Sequence, residues 1–353
     1  LRRHDGKGRL SAWFPLFAAV AIAVMRWHVH FSRMGIEPIW VPLEWLLGMW
    51  ALLRGWRTGS WWTFAAAGAV AALSLYTYQG AWVLPFVLGA TALLLIAKDY
   101  LTPGLSGRGP GVRLRGLAVA ATVALLLAAP LLYYFATHVD LITLRPQQVN
   151  VVGETASPAD AGVLTNTWAT IAMYFPFGKT GDMDPRRNIP GEPVLNLWLA
   201  IPFWIGLVVA LWRIRHTAYW SVLLGLVGLL SVGVFTEYAP HFHRILGAAA
   251  PTAILCAMGL DWLWNWRPTQ NALVRWIAPA LILFAAIFGW RDYFVRWAAL
   301  PDLYHAFDEG LWQVGTWIAD QPVDEPLYLS PRDADHPTLA FAWQTRTNAH
   351  GAP

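Results

Sequence analysis

Residues 117–135 read LAVAATVALLLAAPLLYYF, an uncharged run preceded by Arg113 and Arg115 and followed by His138 and Asp140. A bilayer core of roughly 30 Å is crossed by about 20 helical residues at 1.5 Å each, so this run has the length of a membrane span. Apolar runs of the same kind recur on both sides of it, at 11–27, 38–53, 61–78, 81–97, 194–212, 217–235, 245–263 and 276–290. Together they predict nine transmembrane helices in an all-α polytopic membrane protein, those at 38–53 and 276–290 being short for a full span.

Composition agrees. Hydrophobic residues are 57% of the chain and charged residues 13%, too little polar surface to cover a soluble domain of 353 residues. The 23 Trp suit the bilayer interface, where an apolar ring with one N–H is best placed; Trp27, Trp56, Trp61, Trp62 and Trp82 lie near ends of apolar runs. A single cysteine, Cys256, excludes an intrachain disulfide. The net charge of +4 is spread in small groups between apolar runs, which argues against a nucleic-acid-binding stripe.

Those small groups orient the chain. With the first residues cytoplasmic, the inner loops hold Arg2, Arg3, Lys7, Arg9, Arg54, Arg57, Lys98, Arg108, Arg113, Arg115, Arg213, Arg215, Arg267 and Arg275, more than half of the 25 basic residues. Of the 21 acidic residues the same loops hold only Asp5, Asp99 and Asp261. The expected topology is therefore a multi-pass protein of the cytoplasmic membrane, its first residues cytoplasmic and its last residues extracytoplasmic, with the polar chemistry on the outer face.

Two regions follow. Residues 1–290 form the transmembrane region, with a long outer loop at 136–193 in which Pro146, Pro158, Pro176, Pro185 and Pro190 permit only short helices. Residues 291–353 form an extracytoplasmic segment: an amphipathic helix through Phe307, Leu311, Val314, Trp317 and Ile318, then a strand-like run at 326–330, as at the start of an α/β domain that the chain leaves unfinished. The basic opening without a signal-peptidase site reads as a retained helix that follows an internal cut.

Four polar groups fall on the predicted outer face. His28, His30 and Arg33 follow the first run at the depth of a lipid phosphate, where a guanidinium matches phosphate oxygens; snorkelling of Arg26 and Arg33 is the plainer alternative. Tyr76, Tyr78 and Gln79 join two spans with almost no loop, so a substrate hydroxyl or an interhelical bond must satisfy them. Asp182, Asp184, Arg186, Arg187 and Asn188 precede a span; the carboxylates suit sugar hydroxyls and the arginines suit phosphate. Glu237, His241, His243 and Arg244 form a short loop where an Arg at a helix end requires the interface or an anion.

Glu44, inside an apolar run, is an intramembrane carboxylate with either a functional or an interfacial reading. Gly178, Lys179 and Gly181 lack the order of a nucleotide-binding loop. Asp333, Asp335 and His336 read as an exposed turn, so no metal and no cofactor is expected.

The pieces WHVHFSRMG (27–35), LSLYTYQGAWVLP (73–85), RRNIPGEPVLN (186–196) and TEYAPHFHRILGAAAP (236–251) resemble, in order and spacing, the GT-C superfamily of membrane glycosyltransferases, related to protein O-mannosyltransferases and aminoarabinose transferases. The resemblance implies a GT-C-like helical bundle that takes a sugar from a polyprenyl-phosphate-linked donor, among membrane lipids, and hands it to an extracytoplasmic protein, lipid or glycan. It implies His28, His30, Arg33, Tyr76, Tyr78, Gln79, Asp182, Arg186, Arg187, Asn188, Glu237, His241 and Arg244 as donor- or substrate-binding residues. The general-base Asp of the family is expected upstream of residue 1, so this chain would lack it. Ala81 and Trp82 stand where many relatives carry Arg, which removes one phosphate contact. A secondary transporter would show internal repeats, which the sequence lacks, and a non-catalytic scaffold would not gather His, Arg, Asp and Glu on one face.

Overall fold

The computed structural model describes residues 10–101, 110–141, 162–236, 238–266, 276–322 and 336–344. Its elements are helices, with no strand among the described residues. They are α1 (Phe14–Val24), α2 (Arg26–Met34), α3 (Trp40–Thr58), α4 (Trp61–Thr77), α5 (Val83–Leu101), α6 (Pro110–Thr137), α7 (Val163–Ala172), α8 (Leu197–Trp212), α9 (Thr217–Val234), α10 (Ala249–Asn265), α11 (Ile277–Arg291), α12 (Leu303–Ala306), α13 (Glu309–Ala319) and α14 (Pro337–Ala342). A π-helical turn, Asp292–Trp297, extends α11.

Five stretches are long and apolar enough to cross a membrane: Gln79–Leu101, Gly111–Thr137, Thr217–Val234, Leu246–Asn265 and Ile277–Trp297. Helices α1 and α2 make a sixth if counted as one span bent by 62° at Met25. These make the chain a helical membrane protein. The remaining runs fold as helices with less membrane character: α3 is interrupted by Glu44, Arg54 and Arg57, α4 has 17 residues and α8 has 16. The bend divides the expected first span, 11–27, so that Arg26, Trp27 and His30 turn inward on α2.

Local chemistry sets several boundaries. Gly35 and Gly59 end α2 and α3 with φ of 65° and 69°, a left-handed conformation that costs a residue with a Cβ about 1 kcal/mol or more. Asn196 caps α8 by accepting from Leu199 N at 3.1 Å, and its amide donates to Ala285 O at 3.1 Å, tying α8 to α11.

Helix α10 is the centre of the bundle, buried along most of its length, whereas α6 is peripheral and presents Leu125, Leu126 and Tyr133 outward. The approach of α8 to α10 relies on missing side chains. A Cβ on Gly206 would lie 1.8 Å from the Leu255 carbonyl oxygen, and one on Gly259 would lie 1.9 Å from that of Pro202. Gly68 approaches Ala120 of α6 in the same way, at 2.0 Å. Such backbone contact is how helices gain van der Waals energy where lipid removes the hydrophobic incentive to associate.

The tryptophan reading is corrected at two positions. Trp61 and Trp62 are exposed at the start of α4, as the interface requires, but Trp27 and Trp56 are buried and Trp27 Nε1 donates to Phe242 O at 2.9 Å. Glu44 is buried, with one carboxylate oxygen lacking a hydrogen-bond partner. In the last segment α13 packs on α14 through Gly315, Ile318, Leu339 and Ala342. The strand-like run at 326–330 lies outside the described residues, as do Asp333 and Asp335; His336 caps α14, accepting from Thr338 N at 3.3 Å.

Candidate functional site

The C-termini of α2, α4 and α9 and the N-termini of α3 and α5 meet at one end of the bundle, opposite the end that carries Arg54, Arg57, Lys98 and Arg213. There the segment 178–196 folds into a compact loop. Gly181 N donates to Gly191 O and Gly191 N to Asp182 O, both at 3.0 Å. Asn188 sits inside the loop, donating to the Asp182 and Glu192 carbonyls at 2.9 and 2.8 Å. Arg26 reaches in from the α1–α2 bend to donate to the Asn188 side chain and, at 2.8 Å, to Pro193 O. A second hold comes from Trp297, whose Nε1 donates to Pro185 O at 2.7 Å, and from the Arg296–Glu192 ion pair at 2.6 Å.

The loop presents an ordered cluster of charge. Arg187 pairs with buried Asp182 through Nε at 2.8 Å and with Asp184 through Nη1 at 2.8 Å, and its Nη2 donates to the Tyr238 hydroxyl at 2.6 Å. Asp182 also accepts from Phe242 N at 2.9 Å, which joins the loop to the segment before α10. Arg186 makes a bidentate pair with Asp184 while leaving 56% of its side chain exposed. Burial acts to raise the Asp184 carboxyl, but hydrogen bonds and charge from Arg186 and Arg187 outweigh it and hold it below the usual range.

This cluster forms one wall of a cavity of about 660 Å³. Its polar lining is Glu37, Tyr78, Gln79, Arg186, Arg187, Tyr238, His241, His243 and Arg244, and its apolar lining includes Phe31, Met34, Ile36, Val232 and Phe235. Both histidines are neutral at physiological pH. Burial, reinforced by Arg187 and Arg244, pushes His241 down to about 2 and His243 to about 4. The cavity therefore offers three guanidiniums against one lining carboxylate, Glu37, among the described residues.

Six of the expected site residues meet here: Tyr78, Gln79, Arg186, Arg187, His241 and Arg244. Others are corrected to supporting places. His30 is buried between Phe31, Tyr293 and Trp297, its Nε2 donating to Arg186 O at 2.8 Å, so it holds the loop rather than facing the cavity. Asp182 and Asn188 are saturated inside the loop, and Asp182 backs the cavity wall through Arg187. Tyr76 faces away and donates to Leu127 O at 2.7 Å. Arg33 lies over the Tyr293 and Phe294 rings at 5.6 and 5.0 Å, and His28 lies outside the cavity lining. Arg26, read from sequence as free to snorkel, is instead buried against the loop. Glu237 lies outside the described residues.

Glu37 and Tyr238 were not singled out by sequence reasoning, whereas His243 was read with His241 as one of two histidines on the same short loop. Tyr238 sits in the same short piece as His241, His243 and Arg244, so proximity was its available signal; Glu37, on a turn between α2 and α3, carried none. No three His, Cys, Asp or Glu are placed to hold a metal ion among the described residues. No family model, curated protein or solved structure matches the chain.

Proposed function

We propose that this protein is an integral membrane glycosyltransferase of the GT-C type, taking a sugar from a polyprenyl-phosphate-linked donor and transferring it to an extracytoplasmic acceptor. One observation carries the reading. The four sequence pieces that resemble the family, far apart in the chain, all contribute to the lining of one cavity: Phe31 and Met34 from the first, Tyr78 and Gln79 from the second, Arg186 and Arg187 from the third, His241 and Arg244 from the fourth.

The cavity has the amphiphilic character that a lipid-linked phosphosugar requires. Arg186 and Arg244 suit a phosphate, with Arg187 holding the wall behind them, and guanidinium–phosphate bonds are shorter and roughly twice as strong as neutral ones. The apolar side, Phe31, Met34, Val232 and Phe235, suits the first isoprene units, while Gln79 and Tyr78 can satisfy sugar hydroxyls. In this reading α3, α4 and α8 complete nine spans, and the cavity opens on the outer face, opposite the basic inner ends. Low demand for further chemistry fits: the leaving group is a phosphate whose charge the arginines already offset, so neither nucleotide nor cofactor is required.

The test is transfer of radiolabelled sugar from a polyprenyl-phosphate donor in membranes containing the full-length protein, with Arg244→Ala and Arg186→Ala alongside. Loss of at least tenfold in both variants at unchanged protein levels supports the reading. Absence of transfer from polyprenyl donors, combined with solute uptake into vesicles, overturns it in favour of a transporter.

A further inference from the structure

We propose that α7 is an in-plane helix seated in the membrane leaflet at the cavity end of the bundle, with lipid covering its exposed face; this goes beyond the transfer reaction and does not depend on it. The polarity of α7 is inverted relative to a helix in water. Leu164, Trp168, Ile171 and Phe175 recur at helical spacing over the helix and the turn after it, and all are exposed, Leu164 at 86% and Trp168 at 64%. The opposite face carries Asn166 and Thr170, both buried. A helix on a loop in water turns its apolar stripe inward and its amide outward. Lipid as the surrounding solvent accounts for the reverse, and residues 161–178 carry no charged side chain that would resist it.

The contacts of α7 set its depth. Near its start the Asn166 amide donates to Val234 O at 3.2 Å and to Thr236 O at 2.6 Å, so a buried side chain satisfies carbonyls at the end of α9 that water would satisfy in a soluble protein. Just past its end, the Tyr174 hydroxyl shares a hydrogen bond with Thr252 near the start of α10 at 2.9 Å, and Tyr174 O accepts from Trp204 Nε1 at 3.1 Å. Phe175 stacks on the same Trp204, with centroids 5.0 Å apart. Trp204 lies about two turns into α8, so this end of α7 dips roughly 10 Å below the cavity end of that helix. With 10 residues α7 is about 15 Å long, half the thickness of a bilayer core, and it runs across the ends of α8, α9 and α10 instead of spanning beside them.

Interfacial helices bury their apolar face about 5–10 Å into the boundary between headgroups and acyl chains, a depth that also suits the indole of Trp168. Immersion of α7 has a consequence for the cavities at this end. Trp168, Ala169 and Ala172 line a second cavity, of about 650 Å³, whose far side includes Lys179 and Met183. Through Asn166 the same helix holds the end of α9, which brings Val232 and the exposed Phe235 to the main cavity. With α7 in the leaflet, Val232 and Phe235 stand level with the upper acyl chains, and the main cavity opens sideways toward lipid.

Two measurements on the full-length protein in phosphatidylcholine nanodiscs test this. In the first, nitroxide labels are attached in a cysteine-free background (Cys256→Ala within this chain) to Leu164→Cys, Trp168→Cys and Ile171→Cys. Leu126→Cys on the exposed side of α6 and Asp302→Cys before α12 serve as lipid and water references. Relative to Asp302→Cys, each label on α7 is expected to favour collision with oxygen over a water-soluble nickel chelate by about threefold or more, grouping with Leu126→Cys. Labels as open to the chelate as that at Asp302→Cys overturn the assignment. So do labels shielded from both reagents, which would show that another part of the protein covers the stripe. The second measurement needs no substitution: wild-type protein is irradiated with phosphatidylcholine bearing a diazirine on its acyl chain, and adducts are mapped by mass spectrometry. Adducts within 163–175 as well as on α6 are expected, and adducts on α6 with none in 163–175 overturn the assignment.

Discussion

Arg187 donates to the Tyr238 hydroxyl at 2.6 Å while its remaining guanidinium edges are taken by Asp182 and Asp184, so one side chain fastens the loop after α7 to the segment before α10. Its pairing carboxylate, Asp182, is buried and lies behind the cavity rather than in it. A residue so committed is chiefly architectural, and the difference from its neighbour Arg186 can be measured.

Arg187→Ala leaves Asp182 buried without its counter-ion and is expected to destabilise the protein by about 3 kcal/mol. Arg187→Lys keeps the charge but cannot span Asp182, Asp184 and Tyr238 at once, so a smaller loss is expected. Thermal unfolding in detergent measures both; equal stability of all three proteins would contradict the geometry.

Arg186→Ala should separate binding from folding. More than half of its side chain is exposed and its partner Asp184 keeps Arg187, so the melting temperature is expected to stay within a few degrees of wild type. Affinity for a polyprenyl phosphate should fall roughly 10- to 100-fold, the scale of one charge-assisted contact. Unchanged affinity would remove Arg186 from the donor site.

The two cavity histidines make stability depend on pH. Their folded values, about 2 for His241 and about 4 for His243, lie below the ordinary value near 6.5, so between these limits the unfolded chain binds more protons. Stability is full above about pH 6.5 and falls as pH drops toward 4, in melting temperatures recorded from pH 7.5 to 4.5. Asp184, held below its usual range, adds a loss of the same sign only at the acid end of that interval, where the unfolded carboxyl begins to take up its proton. His243→Gln should flatten the dependence, and an unaltered slope would show that burial of this ring does not govern it.

Helix crossing provides a contrast of two glycines. Gly259→Leu places a side chain against the Pro202 carbonyl and must push α8 from α10, at a cost of about 2 kcal/mol or more. Gly89→Ala on α5 meets nothing within 4 Å and is expected to be neutral or to stabilise by about 0.5 kcal/mol. Melting temperatures that rank the two variants the other way would contradict the packing.

How far the sequence foretold this depends on the kind of signal. Apolar length is local and was legible, as 117–135 within α6 and 217–235 against α9 illustrate. The bend at Met25 was not, because the periodicity of 26–34 differs little whether the helix continues or turns, and the contacts that accompany it, Arg26 with Asn188 and Pro193, are tertiary. For the site, sequence placed polar residues at one end of the bundle and could not distinguish those that face a cavity from those that hold its walls. His30 and Arg186 have equal claim to bind phosphate by residue type. Their roles separate only because the His30 ring donates to the Arg186 carbonyl from within an aromatic cage. Tyr238 escaped notice since a tyrosine in an aromatic-rich membrane protein is ordinary until Arg187 is seen beside it.

The central claim is that the cavity between α2, the α4–α5 junction and the 236–244 segment holds the phosphate end of a polyprenyl lipid. Its most direct test is to photo-crosslink a polyprenyl phosphate carrying a diazirine near its phosphate to the wild-type protein in nanodiscs and map the attachment by mass spectrometry. Attachment within 76–82, 186–187 or 238–244, reduced at least tenfold in Arg244→Ala and competed by unlabelled polyprenyl phosphate, is the result the account predicts. Attachment spread over the lipid-facing surface of α6, unaffected by Arg244→Ala or by competitor, would contradict it.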